Sequence, residues 1–402
     1  MTVSATDDRP LMWFACPKYG EVSEAWMVRQ AWHIDRLRPH VVCWAMAATA
    51  TGAGVPPLPL PGHGSTVLGR EFYHYHGRAW RWLRVRNAVR GNYWGTVGDE
   101  RAQLVRLMRE QRPRVVLGHF GFTALRVLPA ARRAGVPVVA HFNGVDASSF
   151  LLNPYYRRSM RVAARQLAGV VVVARYMYDA MRELGVPSDR LHLIPYGVPV
   201  GEFRPADPGA VAREPCRFLA VGRLVDKKDP LAVVRAFAAC AAVSPGATLT
   251  VIGHGPLDAA ARALARELKV ADRVTFLGAQ SGDRVRAEMA AAGAFVQHSV
   301  TSNGGDKEGW PVAIAEAVAS GLPVVATAHA AIPQQVEDGV TGYVVPEHDW
   351  QAMGDRMARL AGDGALRARM GVAARAKAER EFDFADKVRQ LQDVLLDAAR
   401  RE

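Results

Sequence analysis

Short apolar runs alternate along this chain with charged stretches whose apolar residues recur at helical spacing. Residues 11–16 (LMWFAC), 41–48, 115–118, 136–140 and 169–174 each read as a buried strand, and so do 217–221, 249–252, 274–278, 294–298, 322–327 and 342–345. Between them, helical patterning is predicted from residue 25, over 99–111 and 175–184, and over 311–320. The tail 382–400 (FDFADKVRQLQDVLLDAAR) places Phe384, Val388, Leu391 and Leu395 on one helical face. Strand, glycine-containing loop and helix in repeated succession predict doubly wound α/β units with parallel sheets. Residues 51–66 are rich in Pro and Gly and read as loop, and the Pro- and Ala-rich stretch 204–215 reads as a linker.

The chain has 402 residues, which suits two domains of roughly 200 residues each. Half of the residues are hydrophobic and 22% are charged, an ordinary globular balance able to form two cores. No apolar run approaches the ~18 residues of a membrane span. The first ten residues, MTVSATDDRP, lack a basic segment followed by an apolar one, so a cytoplasmic protein is expected. Cys16, Cys43, Cys216 and Cys240 are scattered and show neither disulfide nor zinc spacing.

Charge changes the picture. The formal net charge is +12, and residues 1–200 hold 26 Lys+Arg against 13 Asp+Glu while the remainder holds 25 against 26. A basic first half predicts an anionic partner. The stretch 70–94 carries Arg70, Arg78, Arg81, Arg84, Arg86 and Arg90 interleaved with aromatics up to Trp94. It reads as a basic amphipathic helix for an anionic membrane surface, or equally as a core helix with a solvated face. No RNA-binding signature accompanies it, so nucleic acid is not expected.

The densest chemistry lies in 301–327, TSNGGDKEGWPVAIAEAVASGLPVVAT. Pro311 suits a first helical turn and Gly321 a helix stop. Glu308 then sits in a loop just before a helix and Glu316 inside that helix, beside backbone N–H groups that attract an anion. Carboxylates next to an anion site suit a nucleotide sugar, since they accept hydrogen bonds from hydroxyls. Upstream, a strand runs into Gly222 and two cations, Arg223 and Lys228, five residues apart, which suits a diphosphate. Gly253 and Gly255 follow another strand, but Asp258 stands where a dinucleotide fingerprint needs its third glycine. His119 and His141 both end strands, at the edge where α/β folds place ligands. Ser23 is either a ligand residue or a helix N-cap.

These segments resemble one family. Glu308-Gly309-x-Pro311, Glu316-Ala and Gly321-x-Pro-Val-Val-Ala-Thr327 resemble the E-x7-E signature of family 4 glycosyltransferases, retaining enzymes of the GT-B fold. Gly222-Arg223-Leu-x-x-x-Lys228, Gly253-x-Gly255-Pro and His141-x-x-Gly-x-Asp146 are similar to further elements of that family. The loop from Pro17 through Gly20 to Ser23 and Glu24 resembles the start of exopolysaccharide glycosyltransferases. The chain departs from the pattern at Asp229 and at Tyr196, where Gly and Asn are usual. It departs again at Gln334, where Glu is common, and at Ala25 and Trp26 for the usual Thr and Phe.

The resemblance implies two Rossmann-like doubly wound domains with a cleft between them. Residues 1–200 would form the acceptor side, with the helix 383–402 packing back on it, and residues 201–382 would bind the nucleotide sugar. Arg223, Lys228, Glu308 and His141 would be catalytic. Gly20, Gly222, Gly253, Gly255, Phe276, Leu277, Gly309, Trp310, Pro311 and Glu316 would bind the donor. Ser23, Glu24, His119 and Asp146 would face the acceptor or the sugar. The implied reaction moves a sugar from a nucleotide-diphosphate sugar, UDP favoured and GDP-mannose next, to a lipid-linked or soluble glycan. It needs no cofactor, and without an Asp-x-Asp triplet no metal. An enzyme at the inner face of the membrane would fit. A glycoside hydrolase using Glu308 and Glu316 and a non-catalytic sugar-nucleotide or membrane-binding module are the alternatives.

Overall fold

In a computed structural model of the chain, residues 7–20, 25–46, 64–68, 95–96, 98–205 and 207–401 are described. The chain divides into two compact units, Met1–Pro195 with Lys387–Glu402, and Tyr196–Asp386.

The first unit holds strands β1 (Leu11–Tyr19), β2 (Arg38–Met46), β3 (Ser65–Val67), β4 (Val115–His119), β5 (Val138–Phe142), β6 (Gly169–Val172) and β7 (Leu191–Leu193). They form one parallel sheet in the order β3-β2-β1-β4-β5-β6-β7. The order reverses between β1 and β4, so the loops leaving those two strands flank the crevice where such sheets bind ligands. β4, β5 and β6 are buried along their whole length, as expected for strands covered on both faces. β1 runs three residues beyond the predicted 11–16, through Pro17. Its pairing with β4 ends at Ala15, so the missing N–H of Pro17 falls where β1 has one neighbour only.

The last helix, Phe384–Arg400, buries the predicted Val388, Leu391 and Leu395. Val394 of this helix closes on Gly169, where a Cβ would lie 3.3 Å from Val394 Cγ1. The Gln392 side chain accepts from the backbone N–H groups of Asp35 and Arg36 and donates to Asp35 Oδ1. One buried amide thereby holds the chain end on the first unit.

The second unit holds β8 (Arg217–Val221), β9 (Thr248–Ile252), β10 (Val274–Gly278), β11 (Ala294–Gln297), β12 (Val324–Thr327) and β13 (Gly342–Val345). Their parallel order is β10-β9-β8-β11-β12-β13, with the reversal between β8 and β11. Phe218, Phe237, Leu249, Val296, Met353 and Met357 lie in its core.

The residues read as a linker do not act as one. Pro208–Arg213 is a helix capped by the Asp207 carboxylate. The buried Arg367 donates to Val211 O, Glu214 O and Leu360 O and fastens this segment to the second unit. The chain changes unit earlier, at Pro195. There Gly197 approaches Phe384 so closely that a Cβ would lie 2.5 Å from its Cα, which explains why glycine follows Tyr196. Among the described residues no helix is long and apolar enough to cross a membrane.

Candidate active site

In the second unit, the chain leaves β8 through Gly222 and Arg223 into a short 3-10 turn, Asp226–Lys228. Gly222 N–H donates to Ile252 O and Leu224 N–H to His254 O, so this loop lies directly against the one leaving β9. That closeness accounts for both glycines of Gly253-His-Gly255. A Cβ on Gly253 would lie 1.9 Å from Gly222 O, and one on Gly255 2.3 Å from Leu224 O. Asp229, in place of the usual glycine, adopts a left-handed backbone with φ of 33°. Asp tolerates this region, and its carboxylate caps the helix Pro230–Val243 by accepting from Ala232 N–H. A pocket opens at this point, lined by Gly222, Arg223, Lys228, Ile252, Phe276 and Gln297. Arg223 is exposed, and no carboxylate among the described residues pairs with it.

The second strand of the switch point, β11, leads to Glu308. Lys228 Nζ lies 2.9 Å from Glu308 Oε1, and Lys227 Nζ lies 2.8 Å from Asp306 Oδ2. Consecutive lysines of one loop thus each take a carboxylate of the other. Glu308 is only 7% exposed. Burial pushes its carboxyl up, but Lys228 and Lys227 outweigh that and hold it below its ordinary value. Ser299 Oγ also donates to Glu308 Oε1.

Sequence reasoning missed what stands behind this carboxylate. Glu308 N–H donates to Nε2 of the buried His329 at 3.0 Å, and His329 Nδ1 meets Glu347 Oε1 at 2.8 Å. The first bond assigns the proton to Nδ1, which therefore donates to Glu347. The other Glu347 oxygen accepts from Thr301 N–H. One carboxylate and one imidazole tie both ends of the Glu308 loop. No motif in the sequence draws attention to His329, which follows the strand Val324–Thr327 by two residues.

After Glu308 the chain passes Gly309, Trp310 and Pro311 into the helix Val312–Ala319. Trp310 is buried and meets Phe382 edge-on at 5.5 Å, so its ring anchors the loop in the core. Pro311 is the N-cap residue rather than the first helical one, and no side chain caps this N-terminus. Its backbone N–H groups suit an anion. Glu316 is half-buried, and its carbonyl accepts from Ser320. The helix stops at Gly321, φ 68°, with Leu322 N–H on Ala317 O and Gly321 N–H on Val318 O, a Schellman closure. Phe276 and Leu277 lie at an irregularity where β10 slips by one residue against β9, and the Arg262 guanidinium lies 4.7 Å from the Phe276 ring centroid.

In the first unit, Gly20 follows β1 with φ of 89°, His119 ends β4 and His141 is the last but one residue of β5. Their rings lie 4.9 Å apart, with Phe14 at 4.4 Å and Trp26 at 5.7 Å from His119. Burial lowers both imidazoles, His141 to about 4 and His119 well below its ordinary value, so both are neutral at pH 7. Neither His119 nitrogen has a hydrogen-bond partner, while His141 Nδ1 meets Asn143 Oδ1 at 2.7 Å. Asp146 is enclosed, and its oxygens accept from the N–H groups of Gly121, Asn143 and Gly144. It clamps the loops after β4 and β5 together. Ser23, Glu24 and the basic stretch 70–94 lie outside the described residues.

The chain is similar to known proteins along most of its length. Residues 208–377 match the family Glycosyl transferases group 1, and residues 58–202 match Glycosyltransferase Family 4. The amylovoran biosynthesis glycosyltransferase AmsK of Erwinia amylovora is 29% identical over 286 residues, which are 70% of this chain and 69% of AmsK. A GDP-mannose-dependent alpha-(1-6)-phosphatidylinositol monomannoside mannosyltransferase of Mycolicibacterium smegmatis is 31% identical over 284 residues, 68% of this chain and 73% of the relative. The crystal structure of Anabaena HepE in complex with UDP-glucose matches in fold, with a TM-score of 0.74 at 18% identity over 96% of this chain and all of that one. Matched along most of its length, with two parallel sheets of the GT-B type, the chain belongs to glycosyltransferase family 4 and is a glycosyltransferase.

Proposed function

We propose that the protein transfers a sugar, with retention, from a nucleotide-diphosphate sugar to a hydroxyl of a lipid-linked glycan in surface polysaccharide assembly. UDP is the favoured nucleotide and GDP-mannose the second. The observation that carries the reading is an exposed Arg223 beside the Lys228–Glu308 pair, at the switch point of the second sheet. Arg223 and Lys228 neutralise charge on the departing diphosphate, an electrostatic contribution to the transition state. The uncapped N-terminus of Val312–Ala319 adds N–H dipoles. Glu308, kept ionised by its lysine, accepts from sugar hydroxyls, and Glu316 accepts from the ribose. Gly222 leaves room for the backbone to approach the phosphates. His141, neutral and held by Asn143, is assigned to the reacting sugar, and Asp146 is a positioning residue for its loop.

No metal is needed where two cations meet the diphosphate. Asp306 and Glu308 each hold a lysine. The lysines favour the ionised form of Glu308, which does not suit it to the acid's part in a hydrolase pair. The polysaccharide role rests on AmsK, whose name gives amylovoran biosynthesis, and on the colanic acid biosynthesis protein WcaL, named as putative. The choice of UDP is supported by the UDP-glucose complex of HepE and opposed by the GDP-mannose relatives.

Titration calorimetry with UDP and GDP tests this. Arg223→Ala should weaken the preferred nucleotide by roughly 1.5–3 kcal/mol, the range for hydrogen bonds to charged groups. Lys228→Ala should do likewise, with an added loss of stability because it strands a buried carboxylate. Unchanged affinity in both variants removes the diphosphate assignment.

A further inference from the structure

The helix Pro154–Ala163 separates its faces sharply. Tyr156, Ser159, Met160 and Ala163 are buried, while Tyr155, Arg157, Arg158, Arg161 and Val162 are exposed, with Arg165 just beyond. Ahead of the helix, Leu152 is 71% exposed and Tyr155 is 54% exposed. Residues 147–178 contain no Asp or Glu, and no carboxylate among the described residues pairs with Arg157, Arg158, Arg161 or Arg165. This combination of protruding apolar side chains and unopposed arginines along about 20 Å of helix and turn is the pattern of an interfacial surface. Its mounting is stiff. Phe120 stacks on Phe122 at 5.2 Å, Phe122 meets Phe150 at 5.4 Å, and Phe150 meets the buried Tyr156 at 5.7 Å. That ladder runs from beneath Leu152 to the loop that follows His119.

We propose that Leu152, Tyr155, Val162 and these four arginines form the face by which the protein lies on an anionic phospholipid surface. The arginines meet headgroup phosphates, and Leu152 and Tyr155 enter the boundary with the acyl chains. A nucleic acid or an acidic protein would satisfy the arginines but would leave a protruding leucine in water, which is why a bilayer is the better partner. The surface uses none of the residues 70–94. It deepens the lipid-linked acceptor reading, and its test needs no acceptor.

Full-length protein is co-sedimented with vesicles of phosphatidylcholine alone or containing about one-third phosphatidylglycerol, at low and high salt. Binding to the anionic vesicles alone, reversed by salt, is expected. The Arg157/Arg158/Arg161/Arg165→Gln variant should partition at least tenfold less, as four lost surface charges predict. All four native cysteines are buried, so Leu152→Cys can carry an environment-sensitive fluorophore, which should shift to the blue on anionic vesicles. The proposal is overturned if the wild type ignores anionic vesicles, if the glutamine variant binds as well, or if the label does not respond while the protein binds. UDP affinity, measured alongside, should be unchanged in the variant. Its absence in the wild type would count against the donor reading and leave the vesicle result standing.

Discussion

His119, His141 and Asp146 are buried within a few ångströms of one another's loops, and their titrations oppose. A buried imidazole holds its proton less readily folded than unfolded. Between about 4 and 6.5 the unfolded chain therefore carries the extra proton on His141, and stability falls as the pH drops. Burial raises Asp146 to about 6, so between 3.8 and 6 the folded state carries the extra proton and gains as the pH drops. These two contributions oppose each other, while His119, displaced the same way as His141 and with no hydrogen bonds to lose, adds to the loss at low pH, as do the half-buried His40 and His192 and the buried His298. The melting temperature should fall between pH 6.5 and 4 in the wild type and should fall less steeply in His119→Phe, which removes one of these imidazoles. A parallel fall in the variant would refute the assignment. In the second unit, His329→Ala leaves the buried Glu308 N–H without its acceptor, at about 1–3 kcal/mol. It should lower turnover at least tenfold while leaving UDP affinity within twofold, and turnover close to wild type would show that the Glu347–His329 support is dispensable. The sequence offered Glu308 by its neighbours, but not His329 or Glu347. They lie 21 and 39 positions downstream on loops that converge only at the end of the sheet.

At the level of elements, two glycines make different demands. Gly321 serves the left-handed stop of one helix, and a Cβ there would lie 3.0 Å from Pro205 Cβ, a tight contact rather than an overlap, so Gly321→Ala should cost about 1–2 kcal/mol. Gly253 sits at φ 138° with Gly222 O in the space a Cβ needs, so Gly253→Ala combines strain with overpacking, roughly 2–4 kcal/mol. Denaturant midpoints should rank the variants in that order, and equal losses would mean that the β8 and β9 loops can separate freely. The Pro311 start and Gly321 stop were readable because proline fixes its own φ and glycine alone reaches a left-handed φ without strain. Residues 204–215 were misread because Pro and Ala in sequence do not reveal Arg367, which holds that segment from 153 and 156 residues away, at Glu214 and Val211.

For the whole molecule, the expectation is that transfer survives EDTA, since the proposed function assigns the diphosphate to Arg223 and Lys228 of the chain itself. Loss of turnover restored by magnesium or manganese would overturn it. Alternation of apolar runs with helical patterning determined two parallel α/β sheets, because strands buried on both faces must be continuously apolar and the helices that cover them must not be. The motif residues also determined which family this is. Tertiary structure decided what those residues do to each other. Lys228 meets Glu308 across an 80-residue separation, Trp310 turns into the core against Phe382, and Asp146 is consumed by three backbone N–H groups. Local sequence constrains backbone torsions and which face is apolar, whereas pairing of distant charges depends on strand order. That order, β8 beside β11 and β1 beside β4, is set by how the whole sheet packs and is not written in any one segment.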